Sequence, residues 1–459
     1  MVSNSIFCRG LSSLEYNTPR PRVTIHVDGQ GPGLNKPYTT LDQIEGTVSI
    51  DVNHTTKFHD IDISFEGYSK VSVERTVQVP GQRVAHHTFL RLRQPIAPDA
   101  YPKSGFLEPK RSYQFPFIFV IPERLLPQSC DHEQSDVLIR PTHTQLPPTF
   151  GSHGPGGSYL NDMAPDTCQI SYAIRVRILK ESPGDSRPLR PFVDVSRKLR
   201  VIPIINRELL RKVNEKGRQH SMRREKPVKC GLIKQNLGQL VVTACQPEPI
   251  LLDHLGSGTH TTDTAITVHL QFHPKGDEQP PQLKTLQIKL SVLTFHASTP
   301  WKSHPLGVDS IDPGEIHQDL AIKEVPLSSY SFASTGWTKQ SSSKGPTRSL
   351  RLLTKERRLG ESLIQGNYYT TSITVPITLP KNIHFVSTFH SCFISRIYNL
   401  NLCVSYYMPK KSILKSTLTL KVPITLDVAA PFLWDGSKRN ESGPCLDCNG
   451  AWNTGIEIS

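Results

Sequence analysis

The sequence predicts an all-β protein built as two tandem, immunoglobulin-like β-sandwiches, and three observations carry that prediction. Apolar residues recur at every second position in many short runs, helical periodicity is almost absent, and 38 Pro and 29 Gly punctuate the whole chain. Alternation lines up side chains on one face of a strand, and Pro and Gly close such strands with turns. At 459 residues the chain is long enough for two or three domains, each with its own core.

The organising stretch is Arg111 to Gln128, RSYQFPFIFVIPERLLPQ. Tyr113, Phe115, Phe117, Phe119 and Ile121 share one face of a strand, and the apolar Pro116, Ile118 and Val120 between them suggest cover on both faces. Pro116 cannot donate to a ladder, which puts this strand at a sheet edge or bulge. Ahead of it the alternation predicts strands around Val23–Val27, Val48–Val52, Ile61–Phe65, Val71–Val79 and, more weakly, Phe89–Leu92. Residues 129–166 read as a Pro/Gly-rich interruption without periodicity. Ile170, Tyr172, Ile174, Val176 and Ile178 then alternate, and Val193 to Val201 close the first domain at Pro203.

Asn206 to Lys229 carries nine Lys/Arg against three Glu and reads as a connector, with a helical turn expected over Arg207 to Val213. A second series of alternating runs follows, around 237–245, 266–272, 286–292, 369–379, 393–407 and 418–428, broken by a long polar segment over 298–360. The expected organisation is a tail over 1–19, a sandwich over 20–203, a basic linker over 204–229, a second sandwich over 230–428 and a polar tail over 429–459.

An aromatic strand ending in Ile121-Pro122, then Leu146-Pro147-Pro148-Thr149-Phe150, then a strand led by Tyr172, resembles the amino-terminal domain of arrestin-fold proteins. It is most similar to the fungal alpha-arrestin branch. A Gly46-led strand and Phe65-Glu66-Gly67, where the family has a turn, add to the resemblance. The resemblance implies two arrestin-type sandwiches and a non-enzymatic adaptor. Such an adaptor binds cytosolic tails of membrane transporters or receptors and links them to trafficking, endocytosis or ubiquitination. It would be cytoplasmic, peripheral at the plasma membrane or endosomes. A retromer-subunit-like sorting scaffold is the alternative on the same fold. Alpha-arrestins that recruit WW-domain ubiquitin ligases usually carry PPxY, and this chain has none: Pro147-Pro148 runs on to Thr149-Phe150.

A formal net charge of +13 favours anionic partners: phosphorylated or acidic tails, anionic lipid, or nucleic acid. Arg175 and Arg177 fall on one strand face about 7 Å apart, a spacing that suits successive phosphates or carboxylates. With Arg20 and Arg22 ahead of the first strand they form the candidate anion site. The resemblance adds that Arg175 lies in the strand where arrestins keep an important Arg. Changing Arg175 and Arg177 to Gln is expected to weaken binding of an acidic tail with little loss of stability. In the connector, Arg211, Lys212, Arg223 and Arg224 are candidates for contact with an anionic membrane surface or a partner. Neither basic run, here or over Arg348 to Arg358, contains an aromatic residue to stack bases, so nucleic acid is the less favoured partner. A charge-driven nucleic-acid binder stays as a third reading.

Nothing in the sequence supports catalysis: no GxSxG, Walker A loop, dinucleotide fingerprint or HExxH occurs. Cys445-x-x-Cys448 is the lone CxxC, and a zinc site needs four ligands, so no metal site and no cofactor are expected. His86-His87 and His269-x-x-x-His273 read as solvated strand faces. No apolar run approaches the ~20 residues of a membrane span. The amino terminus offers no signal-peptide core, Val2 excludes N-myristoylation, and the final residues carry no prenylation Cys, so an intracellular chain is expected.

Overall fold

The computed structural model describes residues 20–428 apart from 32–35, 75–80, 103–104, 152–160, 181–189, 218–221, 231–234, 254–263, 312–315, 333–335, 342–366 and 410–414. The two expected tails, Cys445-x-x-Cys448 and the run over Arg348 to Arg358 therefore lie outside the described residues. Within them the chain is almost entirely β. The first sandwich comprises β1 (Arg22–Val27), β2 (Gln43–Asp51), β3 (Thr56–Lys57), β4 (Asp60–Glu74), β5 (Gln82–Arg93), β6 (Phe106–Leu107), β7 (Ser112–Val120), β8 (Cys168–Lys180) and β9 (Arg190–Leu199). A sheet ordered β1-β2-β7 faces a sheet ordered β5-β4-β8-β9, with β3–β6 as a separate pair.

The core between these sheets follows from the alternation. Tyr113, Phe115, Phe117 and Phe119 of β7 are buried, as are Ile170, Tyr172, Ile174, Val176 and Ile178 of β8. The Phe65 ring lies 6.1 Å from Phe119 and 5.9 Å from Tyr172, within the range of favourable ring pairing. The buried Tyr172 hydroxyl donates to Pro147 O at 2.6 Å, which satisfies it and fixes the Leu146–Gly151 stretch against β8.

β7 sits at a sheet edge, and the reason is visible in its amides. Ile118 N–H points away from β2 and donates to Gln94 Oε1 at 3.0 Å. Pro116, two residues earlier, has the same phase, so its missing N–H faces the free edge and costs no ladder bond. Cover on both faces is not found: Ile118 and Val120 are each 49% exposed.

Other expectations change. Ile61–Phe65 and Val71–Val73 belong to one long strand, β4, and Phe65-Glu66-Gly67 is not a turn but its middle. A Cβ on Gly67 would stand 2.5 Å from Phe89 and 2.9 Å from Tyr172, so the glycine is there for close packing. Phe89–Leu92 is the end of the twelve-residue β5. The interruption after β7 is structured where it is described: it holds a 3-10 turn over Pro127–Cys130 and the helix α1 (Ile139–His143).

The connector begins as expected with a helix, α2 (Arg207–Gly217), which buries Leu210 and Val213. Its second half is not a linker. Arg223 to Cys230 form β10, the edge of the second sandwich. That sandwich continues with β11 (Gln235–Ala244), β12 (Ile250–Leu252), β13 (Thr264–Pro274), β14 (Gln282–Ala297), β15 (Gln318–Ser331), β16 (Thr338–Ser341), β17 (Asn367–Ile377), β18 (Phe389–His390), β19 (Ile394–Tyr407), β20 (Ser416–Ile424) and β21 (Leu426–Val428). One sheet runs β10-β11-β13-β17-β16 and the other β15-β14-β19-β18, with β20 on β19; β12 and β21 form a short parallel pair. The polar segment after residue 298 thus contains two strands, β15 and β16, missed because β15 buries only Val325. The second core is separate from the first.

Both sandwiches belong to one compact unit, and specific contacts join them. Arg396 is wholly buried on the inward phase of β19, with its guanidinium 4.7 Å over the Phe150 ring. It donates to Asp162 O at 3.0 Å, and burial pushes its pKa down from the usual arginine value. Arg207 of α2 pairs with Asp427 of β21. His87, expected on a solvated face, packs its ring 5.1 Å from Phe393 instead. No helix among the described residues is long and apolar enough to cross a membrane.

Candidate functional site

Strand phase places Arg175 and Arg177 on the outer face of β8, as the alternation requires, but not as free cations. Across β4, β5, β8 and β9 their neighbours include Asp60, Asp62, Glu66 and Asp194, along with Arg91 and Arg93. Four arginines therefore face four carboxylates. Arg177 holds Glu66 with two bonds, 2.7 and 3.0 Å, and reaches Asp62 at 3.1 Å. Arg175 holds Asp194 with two bonds of 2.7 and 2.6 Å. Arg91 reaches Asp62 at 2.6 Å, and Arg93 pairs with Asp60. Bidentate Arg–carboxylate pairs are among the stronger polar contacts.

These pairs shape the electrostatics. The Arg175 guanidinium holds Asp194 below its ordinary value of 3.8, and Asp194 in turn raises Arg175. A carboxylate with a depressed folded pKa stabilises the fold above its unfolded value and loses that contribution as pH falls through the folded one. The Arg175–Asp194 pair therefore contributes at neutral pH, and its contribution is lost in acid as Asp194 takes up a proton. The expectation that both arginines could be neutralised at little cost is corrected for Arg177, whose side chain is only 17% exposed and whose partner Glu66 is buried. Arg175 and Asp194 lie nearer the surface, 37% and 32% exposed, where an incoming anion could compete.

Arg20 and Arg22 are not brought to this ladder. Arg22 has the outward phase of β1, opposite in phase to the buried Ile25 and Val27, with exposed Arg20 just ahead of it. It thus faces solvent from the other sheet of the sandwich. The connector residues do not form one patch either. Arg211 and Lys212 share Glu208 on α2, at 2.8 and 3.7 Å, whereas Arg223 pairs with Glu225 on β10 at 2.6 Å. Arg224 is exposed and, as the next strand residue, points to the opposite face.

Sequence reasoning missed a different cluster. Cys130, His132 and His143 come from the stretch between β7 and β8, and Cys392 comes from the turn between β18 and β19. Their four ligand atoms lie within 4.8 Å of one another. Cys130 Sγ is 3.2 Å from His132 Nε2 and 3.8 Å from His143 Nδ1, and the two imidazole nitrogens are 3.4 Å apart. His132 turns its other nitrogen, Nδ1, to Glu133 O at 2.9 Å. The Cys392 contact, helped by His132, draws the Cys130 thiol down to about 6, and that same contact and burial push Cys392 up. Desolvation keeps His143 neutral, well below the ordinary histidine value. A thiol beside an imidazole also has the form of a catalytic pair, but Cys130 is 0% exposed and cannot meet a substrate. The sequence signal is slight: Cys130-x-His132 with His143 close by, inside a loop, and a fourth residue about 250 positions on.

No protein-family model matches the chain, and no curated protein matches it.

Proposed function

We propose that the chain is a non-enzymatic, arrestin-like adaptor that takes up extended cytosolic segments of membrane proteins and links them to trafficking, endocytosis or ubiquitination. The observation that carries this reading is the free edge of β7. It combines two half-exposed apolar side chains, Ile118 and Val120, with an amide held only by the Gln94 side chain. A sheet edge of this kind accepts an extended peptide as an added strand: main-chain bonds give affinity and the apolar side chains give selectivity. Gln94 is half-buried, and its side-chain amide can yield its place to an incoming carbonyl. The resemblance of the Arg111–Gln128, Leu146–Gly151 and Tyr172 stretches to arrestin amino-terminal domains supplies the class of partner.

The basic character of the chain supports anionic tails as the preferred segments. Of the candidate arginines, Arg175 is suited to share a phosphate or carboxylate with Asp194, and Arg20 and Arg22 carry exposed charge. Recruitment of a WW-domain ligase would need a motif other than PPxY.

The test is affinity capture from detergent-solubilised membranes, with and without nuclease. Enrichment of integral membrane proteins that survives nuclease is expected. Partners that disappear with nuclease would overturn the reading in favour of charge-driven nucleic-acid binding.

A further inference from the structure

We infer that Cys130, His132, His143 and Cys392 bind one zinc ion in a closed tetrahedral site that clasps the two sandwiches together. Zinc bonds of about 2.05 Å to nitrogen and about 2.3 Å to sulfur put the corners of a tetrahedron about 3.4 to 3.8 Å apart. The imidazole nitrogens stand at 3.4 Å, and Cys130 Sγ stands at 3.2 and 3.8 Å from them. Those three atoms reach a common cation with movements of a few tenths of an ångström, and Cys392 Sγ, within 4.8 Å of each of them, closes in from the fourth side.

The donor chemistry agrees with the geometry. Two thiolates and two neutral imidazoles cancel the charge of a dication, so the loaded site can be buried without a net ionic cost. Burial is what is found: Cys130, His143 and Cys392 are 0%, 1% and 4% exposed. The His132 Nδ1–H on the Glu133 carbonyl leaves Nε2 bare toward the cluster, the orientation that second-shell carbonyls impose on zinc-binding histidines. A mixed sulfur and nitrogen set in tetrahedral array selects zinc over magnesium or calcium, which prefer oxygen. All four positions are filled by the protein, so the site is structural and leaves no place for a substrate.

Its place in the fold gives it a role. Three ligands belong to the segment that follows β7 of the first sandwich, and the fourth to the second sandwich. The same segment is already laid against the second sandwich by Ser135 N–H on Lys302 O at 2.9 Å, by Thr142 Oγ1 and His304 Nε2 at 2.7 Å, and by Lys302 and Glu133 at 2.6 Å. Trp301 N–H on Cys392 O at 2.8 Å fixes the turn that presents the fourth ligand. These neighbouring bonds are exposed or part-buried, whereas three of the four ligands are buried, so the ion adds a buried clasp to the coupling that Arg396 and Arg207 already provide. Closing a loop of this length also restricts the unfolded chain.

The full chain, purified without chelator, is the material for the test. Elemental analysis should find one zinc per chain in the parent and in a Cys445→Ser/Cys448→Ser variant, and close to none in Cys392→Ser. Exchange into Co2+ should give the visible absorption of tetrahedral thiolate coordination in the parent, a readout that does not depend on any variant folding. Chelation should lower the melting temperature, and added zinc should restore it. Four results would overturn the inference: a metal-free parent without the cobalt spectrum, metal lost with Cys445 and Cys448, a full equivalent retained by Cys392→Ser, or a Cys130–Cys392 disulfide in peptides mapped without reduction. A melting temperature indifferent to chelation would remove the clasp.

Discussion

Phe117→Ala should destabilise the first sandwich by about 3 to 5 kcal/mol, the usual loss when a buried Phe is truncated. Phe117 is 3% exposed in the middle of β7, its ring 5.7 Å from Phe119. It also closes over Gly46 of the neighbouring strand, where a Cβ would come within 2.6 Å of its ring. A small residue beside a large one is a local fit that nearby side chains cannot refill. Because β7 contributes to the first core and not to the second, the loss should fall on one transition. Denaturant melts of parent and variant, followed by a probe in each sandwich, check this. Unfolding at the parental midpoint in the first sandwich would mean that β7 is not central to its core.

Glu66→Ala should cost about 2 to 3 kcal/mol, the upper range for a buried polar contact that leaves partners unsatisfied. The Glu66 side chain is 5% exposed and meets Arg177, Arg175 and Arg91, so its removal leaves three guanidinium groups around a space without a carboxylate. Water can reach Arg91 and Arg175, which limits the loss; Arg177 is the group left most exposed to the deficit. Glu66→Gln, which keeps the shape and one acceptor, should lose less. Equilibrium unfolding with Arg224→Ala as an exposed control checks the size. If Glu66→Ala matched that control, the ladder would contribute nothing to the fold.

Strand phase was readable from local pattern, because burial of one face imposes a period of two. Ile174, Val176 and Ile178 inward therefore meant Arg175 and Arg177 outward, and Pro116 meant an edge or a bulge, of which the structure has the edge. What an outward residue meets was not readable. Asp62 and Glu66 lie more than a hundred residues before Arg177 and become its partners only through antiparallel pairing of β4 with β8. The same reason hid the zinc ligands, since Cys392 meets Cys130 by the docking of two sandwiches and no spacing rule anticipates that. Gly67 misled in another way: the family resemblance implied a turn at Phe65-Glu66-Gly67, while tertiary crowding by Phe89 and Tyr172 is what requires the glycine. Strand β15 was hidden because its side chains are mostly outside the core, which leaves no alternation to see.

The adaptor reading is tested most directly at the β7 edge itself. A photo-crosslinking amino acid in place of Ile118, in chain incubated with solubilised membranes and irradiated, reports what lies against that edge. The account predicts crosslinks to cytosolic segments of integral membrane proteins, insensitive to nuclease and strongly reduced when Val120→Lys is added. Crosslinks confined to the chain itself, or membrane-protein capture that persists unchanged with Val120→Lys, would contradict it.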